Sequence, residues 1–181
     1  MSLSMVPNVV VKSILLSLED VLGRDGAKSV LIYGQLGKLA ITLTETHGCT
    51  EFHDFVALLT ALWDIVGVGS GSILYETGAR FALILFHGGG GDPVRHIMQL
   101  QTALGGVWSV RSQGTTYFVK VQGCSFCKLQ VNESKLPMCY ILAGGLAKLY
   151  EEATGQPYDG REIQCEACGN ECCEFELTRK R

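Results

Sequence analysis

The stretch Arg161-Glu-Ile-Gln-Cys165-Glu-Ala-Cys168-Gly169-Asn-Glu-Cys172-Cys173-Glu-Phe-Glu-Leu-Thr178 decides how this chain is read. Two runs suited to strands, 161–165 and 173–178, flank a loop that contains Gly169, which predicts a closing β-hairpin. Cys165 and Cys173 are eight residues apart and centred on Gly169, so an odd-length loop sets them directly opposite each other. Glu162 stands three residues before Cys165 and on a flat strand would face the other way, so a bulge or a twisted strand start has to bring it round. All but one of the eight cysteines lie after position 123. Packing does not need that density of soft ligands, and the first reading is a bound metal.

Upstream of the hairpin the pattern is similar. Residues 106–111 and 115–122 predict a hairpin about Gln113-Gly114, and 72–76 and 80–87 predict another about Thr77-Gly78. Helical periodicity covers 8–22, where Gly23 ends it, then about 26–46, and then 53–66. Asp92 as cap and Pro93 as first helical residue open a short helix to about Leu104, and a further helix spans about 137–153. Three helices, two strands, a helix, two strands, a helix and two strands give an α+β class, an antiparallel sheet with helices packed on one side. The expectation is one domain over 1–181, with a zinc-binding subregion at about 124–178.

Composition narrows the function classes. The chain has 181 residues, 47% hydrophobic and 18% charged, with a formal net charge of −3. That balance describes a folded, apolar protein and gives no basic footprint for direct nucleic-acid binding. No run reaches the ~20 apolar residues of a membrane span, and Met1–Asn8 lacks the features of a secretion signal. The expected location is therefore cytoplasmic, where thiols stay reduced and a disulfide framework is the weaker account of the cysteines. Arg179-Lys180-Arg181 reads as a solvated tail.

Cys139 opens the helix two residues after Pro137, where the dipole and the free N–H groups favour a thiolate. Together Cys139, Glu162, Cys165 and Cys173 offer three thiolates and a carboxylate, a set that suits tetrahedral zinc. Four protein ligands make such a site closed and structural. The competing reading is buried, unliganded cysteines. Pro137-Met-Cys139-Tyr, Gly144-Gly145, the 161–169 run and Cys173-Glu-Phe175 resemble the 4-vinyl reductase domain family. That family includes the ligand-sensing domain of phenol-responsive activators and archaeal stand-alone proteins. The resemblance implies a zinc site at the same four positions, whose spacing is 23, 3 and 8 residues. It also implies a fold shared with haem-based nitric-oxide sensors and a Golgi-transport subunit family, and a cavity for small, mostly apolar molecules.

Cys124, Cys127, Cys168 and Cys172 remain, the first two as a C-x-x-C pair. A second metal or iron–sulfur cluster, a redox dithiol and no shared role are all open. Cys49 reads as a small core residue. Neither Gly67–Gly71 nor glycines 88–91 has the Lys-Ser/Thr of a phosphate loop. His47, His53, His87 and His96 have no partner at metal spacing, and no catalytic triad or Gly-x-Ser-x-Gly is found. Tyr75, Phe81, Phe86, Trp108, Tyr117 and Phe118 are read as strand aromatics, with Trp108 and Phe118 as candidates to line a pocket. The leading expectation is a sensor or carrier of a small apolar or aromatic ligand with a structural zinc, homodimeric through helix 8–22. A thiol or iron–sulfur redox sensor, and a factor or reductase acting on a vinyl tetrapyrrole, are the alternatives. Enzyme activity is left open, with no cofactor fingerprint to support it.

Overall fold

A computed structural model describes residues 5–39, 47–85, 91–124, 126–127 and 139–180. The chain separates into two compact units, one ending at Thr77 and one beginning at Gly78.

The first unit opens with β1 (Met5–Pro7), which pairs antiparallel with β2 (Cys49–Glu51). Neither three-residue strand is visible in the sequence pattern. Asn8 ties the pair together: its Nδ2 donates to His47 O at 3.2 Å, and its Oδ1 accepts from Thr50 Oγ1 at 2.9 Å. Helix α1 (Asn8–Tyr33) merges the expected first helix with the start of the second. Gly23, at φ 73, breaks the helical geometry between them without ending the element. The second predicted helix stops at Tyr33, capped through Gly34 N to Val30 O, and residues 40–46 of that prediction lie outside the described residues. Val10, Val11, Ile14, Leu15 and Leu18 are buried, as are Phe55, Leu58 and Leu62 of α2 (Phe52–Val66), which packs against α1. The face of α1 offered for a twofold partner is therefore mostly buried over 8–18; Val21, Ile32 and Tyr33 are the apolar residues it leaves exposed. Cys49 is exposed on β2, not in the core.

The two runs 72–76 and 80–87, read as a strand pair, fall up to Leu85 in a single helix, α3 (Ser70–Leu85). Its buried positions are Ser70, Ile73, Leu74, Thr77, Phe81 and Ala82, which is a helical stripe. Ile, Leu, Tyr and Phe give the run its strand-like composition, but spacing along the helix decides which of them are buried. Tyr75 and Phe81 are thus helical, and Phe86 and His87 lie outside the described residues. Gly78, read as a turn, is a crossing point. A Cβ there would sit 1.9 Å from Ile141 O, on the backbone of α5 (Tyr140–Thr154).

The second unit contains α4 (Pro93–Leu104), which starts as expected, with Asp92 Oδ1 accepting from Val94 N at 2.9 Å. A four-stranded antiparallel sheet follows, in the order β3 (Val107–Gln113), β4 (Thr116–Gln122), β6 (Cys173–Arg179) and β5 (Tyr158–Gln164). Trp108, Val119, Val121, Cys173, Phe175 and Leu177 are buried along its inner face, against which α4 and α5 pack. The outer face is polar: Arg111 pairs with Glu174 at 3.0 Å and Arg161 with Glu176 at 2.6 Å. A sheet covered on one side alternates in this way. Gly160 admits α5 to contact, because a Cβ there would lie 2.4 Å from Ala143 O.

The Gly78 crossing yields a direct test. Replacing Gly78 with valine forces a side chain against backbone that cannot move aside, and overpacking of this kind costs about 3 kcal/mol or more. Thermal unfolding should show a loss of that size, while Gly37→Ala, with nothing within 4 Å of the added Cβ, should change stability little.

Candidate metal centre

The closing hairpin positions its donors through a register shift. Glu162 pairs with Phe175 and Gln164 with Glu174, so Ile163 is an extra residue in β5. This β-bulge is the device that the Glu162–Cys165 spacing requires. It turns Glu162 to the inner face and, one step beyond Gln164, brings Cys165 level with Cys173. The loop between the strands closes through a short helical turn, Glu166–Cys168, and Gly169 at φ 87. Cys168 N and Asn170 N both donate to Cys165 O, and Asn170 Oδ1 accepts from Cys165 N. The backbone around Cys165 is thus fixed by its own loop.

Cys139 sits at the cap position of α5, as the sequence predicts. Its N–H donates to Glu162 Oε2 at 2.9 Å, joining the helix start to β5. The five residues Cys127, Cys139, Glu162, Cys165 and Cys173 bring one donor atom each within 4.8 Å of one another. Cys127 Sγ lies 3.2 Å from Cys139 Sγ, 3.5 Å from Cys165 Sγ and 3.2 Å from Cys173 Sγ, and Cys139 Sγ is 3.8 Å from Cys173 Sγ. All these cysteines are buried, and none is in a disulfide. Cys124 Sγ adds a further contact, 3.6 Å from Cys139 Sγ.

The four expected donors are therefore gathered at one point, and the structure adds Cys127 to them. The four remaining thiols do not assemble among themselves. Cys124 and Cys127 join the first cluster, Cys168 is exposed, and Cys172 Sγ turns to Gln164 Oε1 at 3.5 Å. Glu166 carries no sequence signal, yet it has a part here. Its carboxylate accepts from Gly123 N at 2.6 Å and from Cys124 N at 3.1 Å, holding the exit of β4 on the hairpin. Trp108 and Phe118 stand on opposite faces of the sheet. Trp108 is buried opposite Val121, with its Nε1 donating to Gly105 O, while Phe118 lies under the Arg111 guanidinium, 3.7 Å from the ring centroid. They do not line one pocket.

The electrostatics suit a cation. Glu162 Oε1 is shut off from solvent with no hydrogen-bond partner, and such an acceptor is costly to leave unmatched. Burial is the main cause that pushes the Glu162 carboxyl up from 4.5 to about 8. Hydrogen bonding from Cys127 and then Cys139 drives the Cys124 thiol far down, whereas Cys139 and Cys173 are pushed up by the same neighbours, Cys124 first. Several anionic donors cannot share this space without positive charge. A divalent ion that takes soft ligands fits the donor set.

In metal-free protein the folded Glu162 value lies above the unfolded one. Its stabilising effect is then full below about pH 4.5 and is lost as pH rises through about 8. Metal-free chain should accordingly melt at falling temperature across this window. Glu162→Gln, which keeps the neutral shape, should flatten that slope in a pH series of thermal scans.

Residues 117–179 match the family model of the vinyl-4-reductase domain. An uncharacterized protein of Methanocaldococcus jannaschii, MJ0745, is 40% identical over 60 residues, which are 33% of this chain and 32% of that protein. The match thus spans about a third of that relative's length. Among solved structures, a vinyl-4-reductase family protein from M. jannaschii is similar with a TM-score of 0.55 and 19% identity, over 85% of this chain and 94% of that one. An Fe(II) unliganded H-NOX protein from K. algicida is similar with a TM-score of 0.64 and 12% identity, over 97% of each chain. These likenesses place the α+β arrangement among vinyl-4-reductase and H-NOX folds. The stretch that matches the vinyl-4-reductase domain model, residues 117–179, carries every donor of the cluster.

Proposed function

We propose that this chain is a small-molecule-binding domain, acting as a sensor or carrier, whose closing hairpin is fixed by one structural zinc ion. The observation that carries the reading is the gathering of buried thiols from three separate segments: the exit of β4, the start of α5 and the β5–β6 hairpin. Cys139, Cys165 and Cys173 form the common core of the site, and Glu162 or Cys127 completes a tetrahedron. Four protein donors leave no open position for a substrate, so the ion's work is to hold the fold. Zinc suits the thiolates and brings no redox chemistry of its own.

An iron–sulfur cluster is disfavoured by the spacing. Sulfur separations of 3.2 to 3.8 Å do not exceed the separation of about 3.8 Å that thiolates on a single tetrahedral ion take, and inorganic sulfides between irons would spread them further. The ligand reading follows the family resemblance and the apolar inner surface of the sheet. Tyr117, Tyr150 and Tyr158 cluster there with ring centroids 4.6 to 6.0 Å apart. A small aromatic or apolar molecule fits such walls, and the zinc would stabilise them without touching it. No helix among the described residues is long and apolar enough to cross a membrane, and we place the protein in the cytoplasm. As a homodimer it would use the exposed apolar residues of α1, Val21, Ile32 and Tyr33.

Elemental analysis of dialysed protein should find about one zinc per chain; less than half an equivalent of any metal ends the reading. Cys173→Ser should lose the ion and unfold at lower temperature. The loss should be smaller than the ~10 kcal/mol that zinc contributes to folding in minimal domains, because the helical core stands without it. Chelation should speed hydrogen exchange over residues 155–178 and weaken binding of an apolar fluorescent dye. Dye binding that ignores chelation separates the ligand from the metal. Light scattering at micromolar concentration should give twice the chain mass, and a monomer removes the dimer.

A further inference from the structure

The metal reading leaves one donor too many. A tetrahedral ion takes four ligands, while five donors from this chain meet at one point. On the metal reading just given, we infer that Cys127 occupies the fourth position beside Cys139, Cys165 and Cys173, and that Glu162 is a reserve donor that takes over when Cys127 is lost.

Geometry favours the thiol first. Zinc–sulfur bonds of about 2.3 Å set the sulfurs of a tetrahedral site about 3.8 Å apart. Cys127 Sγ already touches all three other thiols, at 3.2, 3.5 and 3.2 Å. Glu162, by contrast, is half committed. Its Oε2 accepts from Cys139 N, the kind of hydrogen bond by which an outer carboxylate orients a ligand. Its Oε1 is buried without a hydrogen-bond partner, and one oxygen of the carboxylate lies within 4.8 Å of each of the four sulfurs. That placement makes Glu162 a donor in waiting instead of a packing residue. A carboxylate that only held Cys139 in place would not need its second oxygen buried and unmatched.

Chain placement explains the value of two alternatives. Cys127 arrives from the exit of β4, whose backbone is already tied to the hairpin through Glu166. With Cys127 bound, the ion links three segments. With Glu162 in its place, it links only the start of α5 and the hairpin, and the connection after β4 is released. The choice of fourth donor therefore sets how firmly Gly123, Cys124 and Cys127 are held, while the ion stays bound either way.

The test uses the whole chain loaded with zinc, or with cobalt as a spectroscopic probe, and compares Cys127→Ala, Glu162→Gln and the double variant. X-ray absorption of the zinc protein should show four sulfur neighbours in the unaltered chain and in Glu162→Gln. Cys127→Ala should show three sulfurs and one oxygen, with cobalt charge-transfer intensity falling by one thiolate. Each single variant should weaken binding by no more than about 10–100-fold, the scale of an outer-shell loss. The double variant should weaken it by far more than the product of the two. Circular dichroism of the metal-free variants confirms that each folds. A wild-type site with three sulfurs and one oxygen overturns the assignment, as does a Glu162→Gln chain that cannot hold the ion. A double variant that binds as well as either single one removes the reserve role. Absence of metal from the unaltered protein sinks the underlying zinc reading instead, and is told apart by elemental analysis.

Discussion

The crowding of potential anions in a buried place is the constraint on which the C-terminal half of this protein depends. Four thiols and a carboxylate are brought within 4.8 Å of one another, where repulsion and lost hydration oppose their ionised forms. A bound cation would turn that cost into cohesion. The neighbouring structure follows from the need to hold these groups in place. The bulge at Ile163 swings Glu162 inward, the Glu166–Cys168 turn locks Cys165, and Glu166 clamps the backbone that leads to Cys127. None of these features is needed for a plain hairpin.

Helix α5 is the element that transmits this local order. Its first turn contributes Cys139, while its middle is buried from Ile141 to Ala147. Two glycines outside it, Gly78 and Gly160, allow other backbones to touch it where any side chain would collide with Ile141 O or Ala143 O. Gly145 on the helix itself faces Gly78 O at 3.3 Å from where a Cβ would stand. Contacts of backbone against backbone leave little freedom to slide, so a shift at the helix start would move the surface that α5 presents to the sheet. The donor cluster and the apolar core are thereby parts of one arrangement within this unit.

Much of this half is legible in the residues themselves. The hairpin turns at Gln113-Gly114 and around Gly169, the Asp92-Pro93 helix start and the four spaced donors rest on local rules: turn glycines, capping and alternation. The failures have equally physical causes. Residues 70–85 contain β-favouring side chains and a Thr-Gly pair, yet a 3.6-residue burial stripe overrides composition. The strands β1 and β2 are three residues long and exist through a partner over forty positions away, which no local window detects. Spacing alone groups Cys127 with the wrong thiols, because the sequence between it and Cys139 has no periodic signal to fix its direction. The C-x-x-C pair was the available sign. Phe118 reads as a neighbour of Trp108, although it stands three residues along β4 from Val121, the partner of Trp108, and an odd number of steps in a strand changes the face.

The bulge in β5 has a bearing beyond the ligands it orients. Strand β5 is an outer edge of its sheet, and an edge strand with a regular row of free N–H and C=O groups invites pairing with a strand of another molecule. Here the extra residue at Ile163 interrupts the row, and Asp159 and Arg161 set charges along it. The irregularity that makes a metal site possible also makes this rim a poor template for intermolecular β-structure. A chain concentrating its thiol-bearing residues near the C-terminus is thus guarded against intermolecular pairing along this rim.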